Sequence, residues 1–217
     1  MREKAIIASC LADVGIAVGE EIVADLHAIG TREIIRLCRA LLESGLFVLH
    51  GSSSKERFST LLPSQADDST KSSGNQNAVY AGTDAEQALV HATLNKRFLE
   101  RTLASYTIGF RRVQGRMEVP VSDNLFELFQ SGTPDLKEEG FVYVLLKSQM
   151  LSAFDSVGEF FTLQPIVPLA SLRVPASVGE HILFTEFRGK HGTVVRYTEA
   201  EVQKIAAHLR AKCAALE

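Results

Sequence analysis

From Ile6 to Leu42 apolar residues recur at spacings of three and four: Ile6, Cys10 and Val14, then Ile22, Leu26 and Ile29, then Ile34, Ile35, Leu37, Leu41 and Leu42. An α-helix brings side chains back to one face at that period. Gly15, Gly19 and Gly30 interrupt the pattern, so it predicts two or three short helices ending at Gly45. Thr31 stands where an N-cap would open the third of them, with Glu33 in its first turn. None of the three carries the cluster of Arg or Asn that reads base edges, so residues 1–44 are expected to be an N-terminal helical segment serving as scaffold.

The pattern then changes. Leu46-Phe47-Val48-Leu49 is a short apolar run that ends in His50-Gly51-Ser52 and reads as a strand. Ser52 to Gln76 is rich in Ser, Thr, Asp, Asn and Gln with almost nothing to bury, which predicts a long mobile loop placed to act as a lid. Asn77 to Ala81 reads as a short strand, and Thr83-Asp84-Ala85-Glu86 has the spacing of a capping box ahead of the helical positions Ala88, Leu89, Ala92 and Leu94. A short helix is expected around Leu125-Phe126-Leu128-Phe129. Gly140 to Leu146 is apolar throughout, the clearest strand in the chain and therefore expected to be central.

Further β patterns run from Glu159 to Leu163, Ile166 to Val174, His181 to Phe187 and Thr193 to Tyr197. Thr198-Glu199-Ala200-Glu201 is a second capping box, and Val202, Ile205, Ala206, Leu209 and Cys213 form one stripe of a closing helix. The fold class is α+β, with strands able to pair into two packed sheets and helices around them, residues 45–217 forming the main domain.

Composition narrows the partners. A chain of 217 residues can bury one sizeable core, and 46% hydrophobic with 23% charged residues suits a soluble globular protein. A net charge of -3 argues against a protein whose main task is coating nucleic acid. Cys10, Cys38 and Cys213 are odd in number, far apart and without CxxC spacing, so neither a disulfide framework nor a zinc site is indicated and a reducing cytoplasm is expected. No cleavable leader pattern opens the chain, and no apolar run reaches the ~18 residues of a membrane span.

Three segments carry candidate chemistry: His50-Gly51-Ser52 after the first strand, Ala78-Val79-Tyr80-Ala81-Gly82-Thr83-Asp84 at a strand-to-helix turn, and Gly158-Glu159-Phe160-Phe161-Thr162 opening a third strand. In this order they resemble the His-Tyr-Glu signature of the ADP-ribosyltransferase superfamily, poly-ADP-ribose-polymerase branch, over residues 45 to about 175. The resemblance implies a split β-sheet core with flanking helices and NAD+ as substrate. Breaking the bond between nicotinamide and ribose creates an oxocarbenium-like centre, so such a site must grip the leaving group and place a carboxylate near the sugar.

By resemblance His50 bonds an NAD+ ribose hydroxyl, Gly51 offers backbone groups to the nicotinamide amide, the Ser52 hydroxyl joins them, and Tyr80 stacks on the nicotinamide ring. Gly51 also suits close backbone approach to a ligand. Glu159 takes the place of the glutamate that holds the ribose 2′-hydroxyl and steadies the developing cation, with Glu180 and Glu186 as rivals. Lys190-His191-Gly192-Thr193 echoes the Arg-His-Gly-Thr of RNA 2′-phosphotransferases but is read as a hairpin tip, and His91 is expected to be a packed histidine.

The function so implied is mono-ADP-ribosyl transfer from NAD+ to a protein or nucleic acid, in the setting of a bacterial toxin or phage-defence effector with a neutralising antitoxin as partner. Lys96, Arg97, Arg101, Arg111, Arg112 and Arg116 form a basic stretch that keeps a nucleic-acid acceptor open, although a solvated surface is the blander account. The alternatives are a degenerate member that binds NAD+ or a partner without catalysis, and an RNA 2′-phosphotransferase-like enzyme.

Overall fold

The computed structural model describes residues 2–65, 76–104, 106, 108–113, 116–153, 158–183, 192–198, 200 and 201. The first half runs α1 (Arg2–Ala12), β1 (Ile22–Asp25), α2 (Thr31–Glu43), β2 (Phe47–Ser52), β3 (Ser64–Gln65), β4 (Asn77–Gly82), α3 (Ala85–Thr93) and α4 (Lys96–Thr102). The second runs β5 (Arg111–Val113), β6 (Arg116–Ser122), α5 (Asp123–Gln130), β7 (Gly140–Leu146), β8 (Leu151–Ser152), β9 (Glu159–Thr162), β10 (Ala170–Val174), α6 (Ser177–His181) and β11 (Gly192–Tyr197).

The main sheet has the order β1-β10-β7-β2-β4-β9-β8, with β3 paired to β4. Among the described residues of this sheet only β1 and β10 run parallel; the other pairings are antiparallel, so the sheet is mixed and the fold is α+β. A separate three-stranded sheet has the order β11-β6-β5. β7 is central, as its unbroken apolar run requires, and its first six residues are buried. Strand alternation sends Val142 and Val144 to one face and Phe141, Tyr143 and Leu145 to the other. The first face takes α2, whose Ile34, Leu37 and Leu41 are buried, and α3, which lies against β2. Each such side chain contributes roughly 1.5–3 kcal/mol. Leu61, Met150 and Ile166 cover the other face.

Several local expectations change. Ile22 to Asp25 is a strand rather than part of a helix: Ile22 and Ala24 are buried, Val23 and Asp25 face out, and β10 supplies the ladder. The period of three and four had joined Ile22 to Leu26 across what is an alternating segment. Thr31 is the first residue of α2, and Gly30 is its N-cap.

At α3 the cap is Asp84, which accepts the Gln87 N–H at 2.9 Å. Glu86 instead receives Arg39 of α2 in a half-buried ion pair, and Thr83 bonds the Gly158 carbonyl at 3.3 Å. Ile166 makes an isolated bridge to Leu61, with Pro165 and Pro168, which lack a donor, delaying β10 to Ala170. His181 ends α6 rather than opening a strand.

The second capping box forms as read, Thr198 N–H reaching a Glu201 carboxylate oxygen at 2.8 Å and Glu201 N–H reaching the Thr198 hydroxyl at 3.3 Å. The stripe from Val202 to Cys213 and the Lys190-His191 turn lie outside the described residues. No helix among the described residues is long and apolar enough to cross a membrane.

Candidate functional site

The three motif strands are neighbours, β2 next to β4 and β4 next to β9. Leu49 pairs with Gly82, the single registered pair between β2 and β4, whereas β4 and β9 pair from Val79–Thr162 to Gly82–Glu159. Beyond Leu49 the chain of β2 therefore parts from β4 while staying registered with β7 through Ser52. His50 fills the join: its Nδ1 donates to the Tyr80 main-chain carbonyl at 2.6 Å.

That bond settles the tautomer. A carbonyl can only accept, so Nδ1 carries the hydrogen, and in the neutral ring Nε2 is left as an acceptor. Burial holds His50 below the usual histidine range; the bond to Tyr80 works against this and the Lys96 charge adds to it. The imidazole is thus neutral at pH 7, with one nitrogen anchored and one able to accept from a hydroxyl.

The side chains do not all share a face. His50 sits beside Tyr143, directly opposite it in register, with ring centroids 6.1 Å apart. Val79 and Ala81 belong to that side of the sheet, with Val48 and Tyr143. Tyr80 alternates to the opposite side, where its ring meets Phe161 at 6.4 Å, and its hydroxyl takes the Gln76 N–H at 3.1 Å. Glu159, half-buried at the start of β9, is paired with Gly82 two residues from the Tyr80–Phe161 pair, so alternation puts it on the Tyr80 side. His50 meets Tyr80 through the backbone, and Tyr80 meets the Glu159 strand through its ring.

Gly51 has a different reason from the one its motif suggests. A Cβ there would overlap the Ala88 carbonyl and lie 2.9 Å from Ala92 N, so the absence of a side chain seats α3 on β2. Ser52 lies opposite Phe141, and its hydroxyl is 3.4 Å from the Ser54 N–H. Of the rival carboxylates, Glu180 lies in α6 and pairs with Lys137, and Glu186 lies outside the described residues.

The described first part of the predicted loop, Ser52 to Gln65, is more tied down than its composition implies: Leu61 is buried, Phe58 stacks near Tyr143 at 6.4 Å, and the Phe58 N–H bonds the Tyr143 hydroxyl at 2.9 Å, while residues 66–75 lie outside the described residues. Tyr143 is the site neighbour that sequence reasoning passed over. Its signal was a lone hydroxyl inside an otherwise apolar strand.

His91 is a packed histidine as expected. Its ring meets Phe110 at 5.9 Å, its Nδ1 is buried without a partner among the described residues, and burial, with Lys96 and His50 nearby, pushes it down to about 3. The basic stretch is divided, with Lys96, Arg97 and Arg101 on α4 and Arg111, Arg112 and Arg116 on the β5–β6 hairpin of the smaller sheet.

Two grooves open elsewhere. One of about 370 Å³ is lined by His27, Lys55, Lys137, Glu139 and Ser177, and one of about 140 Å³ by Lys4, Glu21, Arg57 and Ser171. Neither is lined by His50, Tyr80 or Glu159; what unites those residues is the sheet. Comparison with protein-family models, curated proteins and solved structures finds no match for this chain.

Proposed function

We propose that the protein transfers a single ADP-ribose from NAD+ to a macromolecular acceptor and releases nicotinamide. The observation that carries this reading is the His50 Nδ1–Tyr80 carbonyl bond, which joins two motifs distant in sequence and leaves Nε2 as a hydroxyl acceptor at the point where β2 and β4 part. A ribose carries such hydroxyls. The resemblance assigns the ribose 2′-hydroxyl, and the cation that develops as the glycosidic bond breaks, to Glu159 of the next strand, whose carboxylate lies on the Tyr80 side of the sheet, so the reading requires the ribose to sit where β2 and β4 part and both sides can be reached. The acceptor is protein or nucleic acid, the second resting on Arg111, Arg112 and Arg116. The setting of a cytoplasmic bacterial toxin or phage-defence effector with an antitoxin belongs to the same reading.

A second reading is favoured by one observation. The Tyr80 ring packs on Phe161 with its hydroxyl bonded to Gln76, on the side away from His50 that Glu159 also takes, which suits a wall better than a stacking platform. A degenerate member would then bind NAD+ or a partner without transfer. Incubation with NAD+ labelled in the adenylate, with separate pools of cell protein, RNA and DNA, decides between the two. Label in one pool with release of nicotinamide supports transfer; binding of NAD+ with no label in any pool supports the degenerate member.

A further inference from the structure

We propose that Tyr143 is a positioning residue of the His50 site: its ring backs the imidazole and its hydroxyl latches the segment that follows His-Gly-Ser. This rests on the reading of that site as an NAD+ site.

Tyr143 is fully buried in the middle of β7, among Phe141, Val142, Val144 and Leu145. A phenol is costly there, because a buried hydroxyl without a partner loses its hydration for nothing, and phenylalanine would fill the space with less penalty. The hydroxyl has a use. It accepts the Phe58 N–H at 2.9 Å, tying to the core a residue six positions beyond Ser52.

The ring has two further neighbours on the same side, Phe141 at 5.9 Å and Phe58 at 6.4 Å, both near-parallel to it, besides the His50 imidazole at 6.1 Å. One side chain therefore touches the histidine of the motif and fixes the far end of the segment from Ser52 to Phe58. The near end is fixed by the pairing of Ser52 with Phe141. Between those two anchors lie Ser53, Ser54, Lys55, Glu56 and Arg57, of which the first three are the chain that a ligand bonded to His50 and Ser52 would meet first.

The test compares wild type with Tyr143→Phe, which keeps the ring against His50 and removes only the latch. The expected result is a KM for NAD+ raised about threefold to tenfold, the range of one lost hydrogen bond, with kcat within about twofold. Trypsin cleavage after Lys55 and Arg57 should quicken by a similar factor in the same protein. A variant with wild-type KM overturns the positioning role, whether or not cleavage changes.

Should Tyr143→Phe fail to fold, Phe58→Pro removes the donor from the other side of the bond and is read in the same two ways. A wild type that neither binds nor consumes NAD+ overturns the reading of the site and the positioning role with it. The trypsin comparison then tells separately whether the latch exists.

Discussion

The imidazole of His50 and the main-chain carbonyl of Tyr80 are joined at 2.6 Å, where the ladder between β2 and β4 holds one registered pair. A side chain thus takes over where backbone pairing gives out. Because the acceptor is a carbonyl, a Tyr80→Ala protein keeps it and keeps His50 in place, whereas His50→Ala loses both the anchor and Nε2. We expect His50→Ala to weaken NAD+ binding by ~1–3 kcal/mol and Tyr80→Ala to weaken it less. Calorimetric titration checks the order, and a larger loss in Tyr80→Ala would mean that the ring is the main contact.

Acid stability should depend on His91. Its folded value of about 3 lies below the ordinary 6.5, so between those values the unfolded chain binds the proton and the folded chain does not. The stabilisation is complete above about pH 6.5 and is lost progressively as pH falls toward 3. Burial depresses His50 in the same direction. We expect His91→Leu to flatten the fall of urea-unfolding free energy between pH 6.5 and pH 4 and to keep the neutral-pH stability, since it also removes a buried nitrogen that has no partner among the described residues. An unchanged slope would show that His91 titrates normally.

Gly51→Ala should cost about 1–3 kcal/mol or more, because a methyl group there meets the Ala88 carbonyl and pushes α3 off β2. The midpoint of chemical denaturation reads this directly. If Gly51 instead serves only ligand approach, Gly51→Ala would melt like wild type and lose NAD+ affinity alone.

Much of the fold is legible in the sequence wherever one pattern has one physical meaning. The apolar run of Gly140 to Leu146 could only be a strand covered on both faces, and it is central. The α2 stripe from Ile34 to Leu41 and the Thr198–Glu201 box were equally direct. Ile22 to Leu26 is ambiguous because five residues fit both a helical spacing and an alternation, and only the partner β10, over 140 residues later, decides between them. Glu86 misled because a carboxylate one turn into a helix serves a capping box or a cation on another helix equally well, and Arg39 is that cation.

At the site, the order of the three motifs in the chain matches three adjacent strands. Which side of the sheet each ring and carboxylate takes was not legible, since it depends on a single pair, Leu49 with Gly82. The true reason for Gly51 lay in a helix that the motif does not mention.

In the proposed transfer Glu159 stabilises the charge that develops on the NAD+ ribose. The decisive comparison is the initial rate of ADP-ribose incorporation into the labelled pool by wild type and by Glu159→Gln, with NAD+ affinity and thermal unfolding measured on the same samples. We expect Glu159→Gln to fold and bind NAD+ nearly as wild type does and to transfer nothing detectable, because the lost charge acts in the transition state far more than in the ground state. A folded Glu159→Gln protein that transfers ADP-ribose at the wild-type rate would contradict that role.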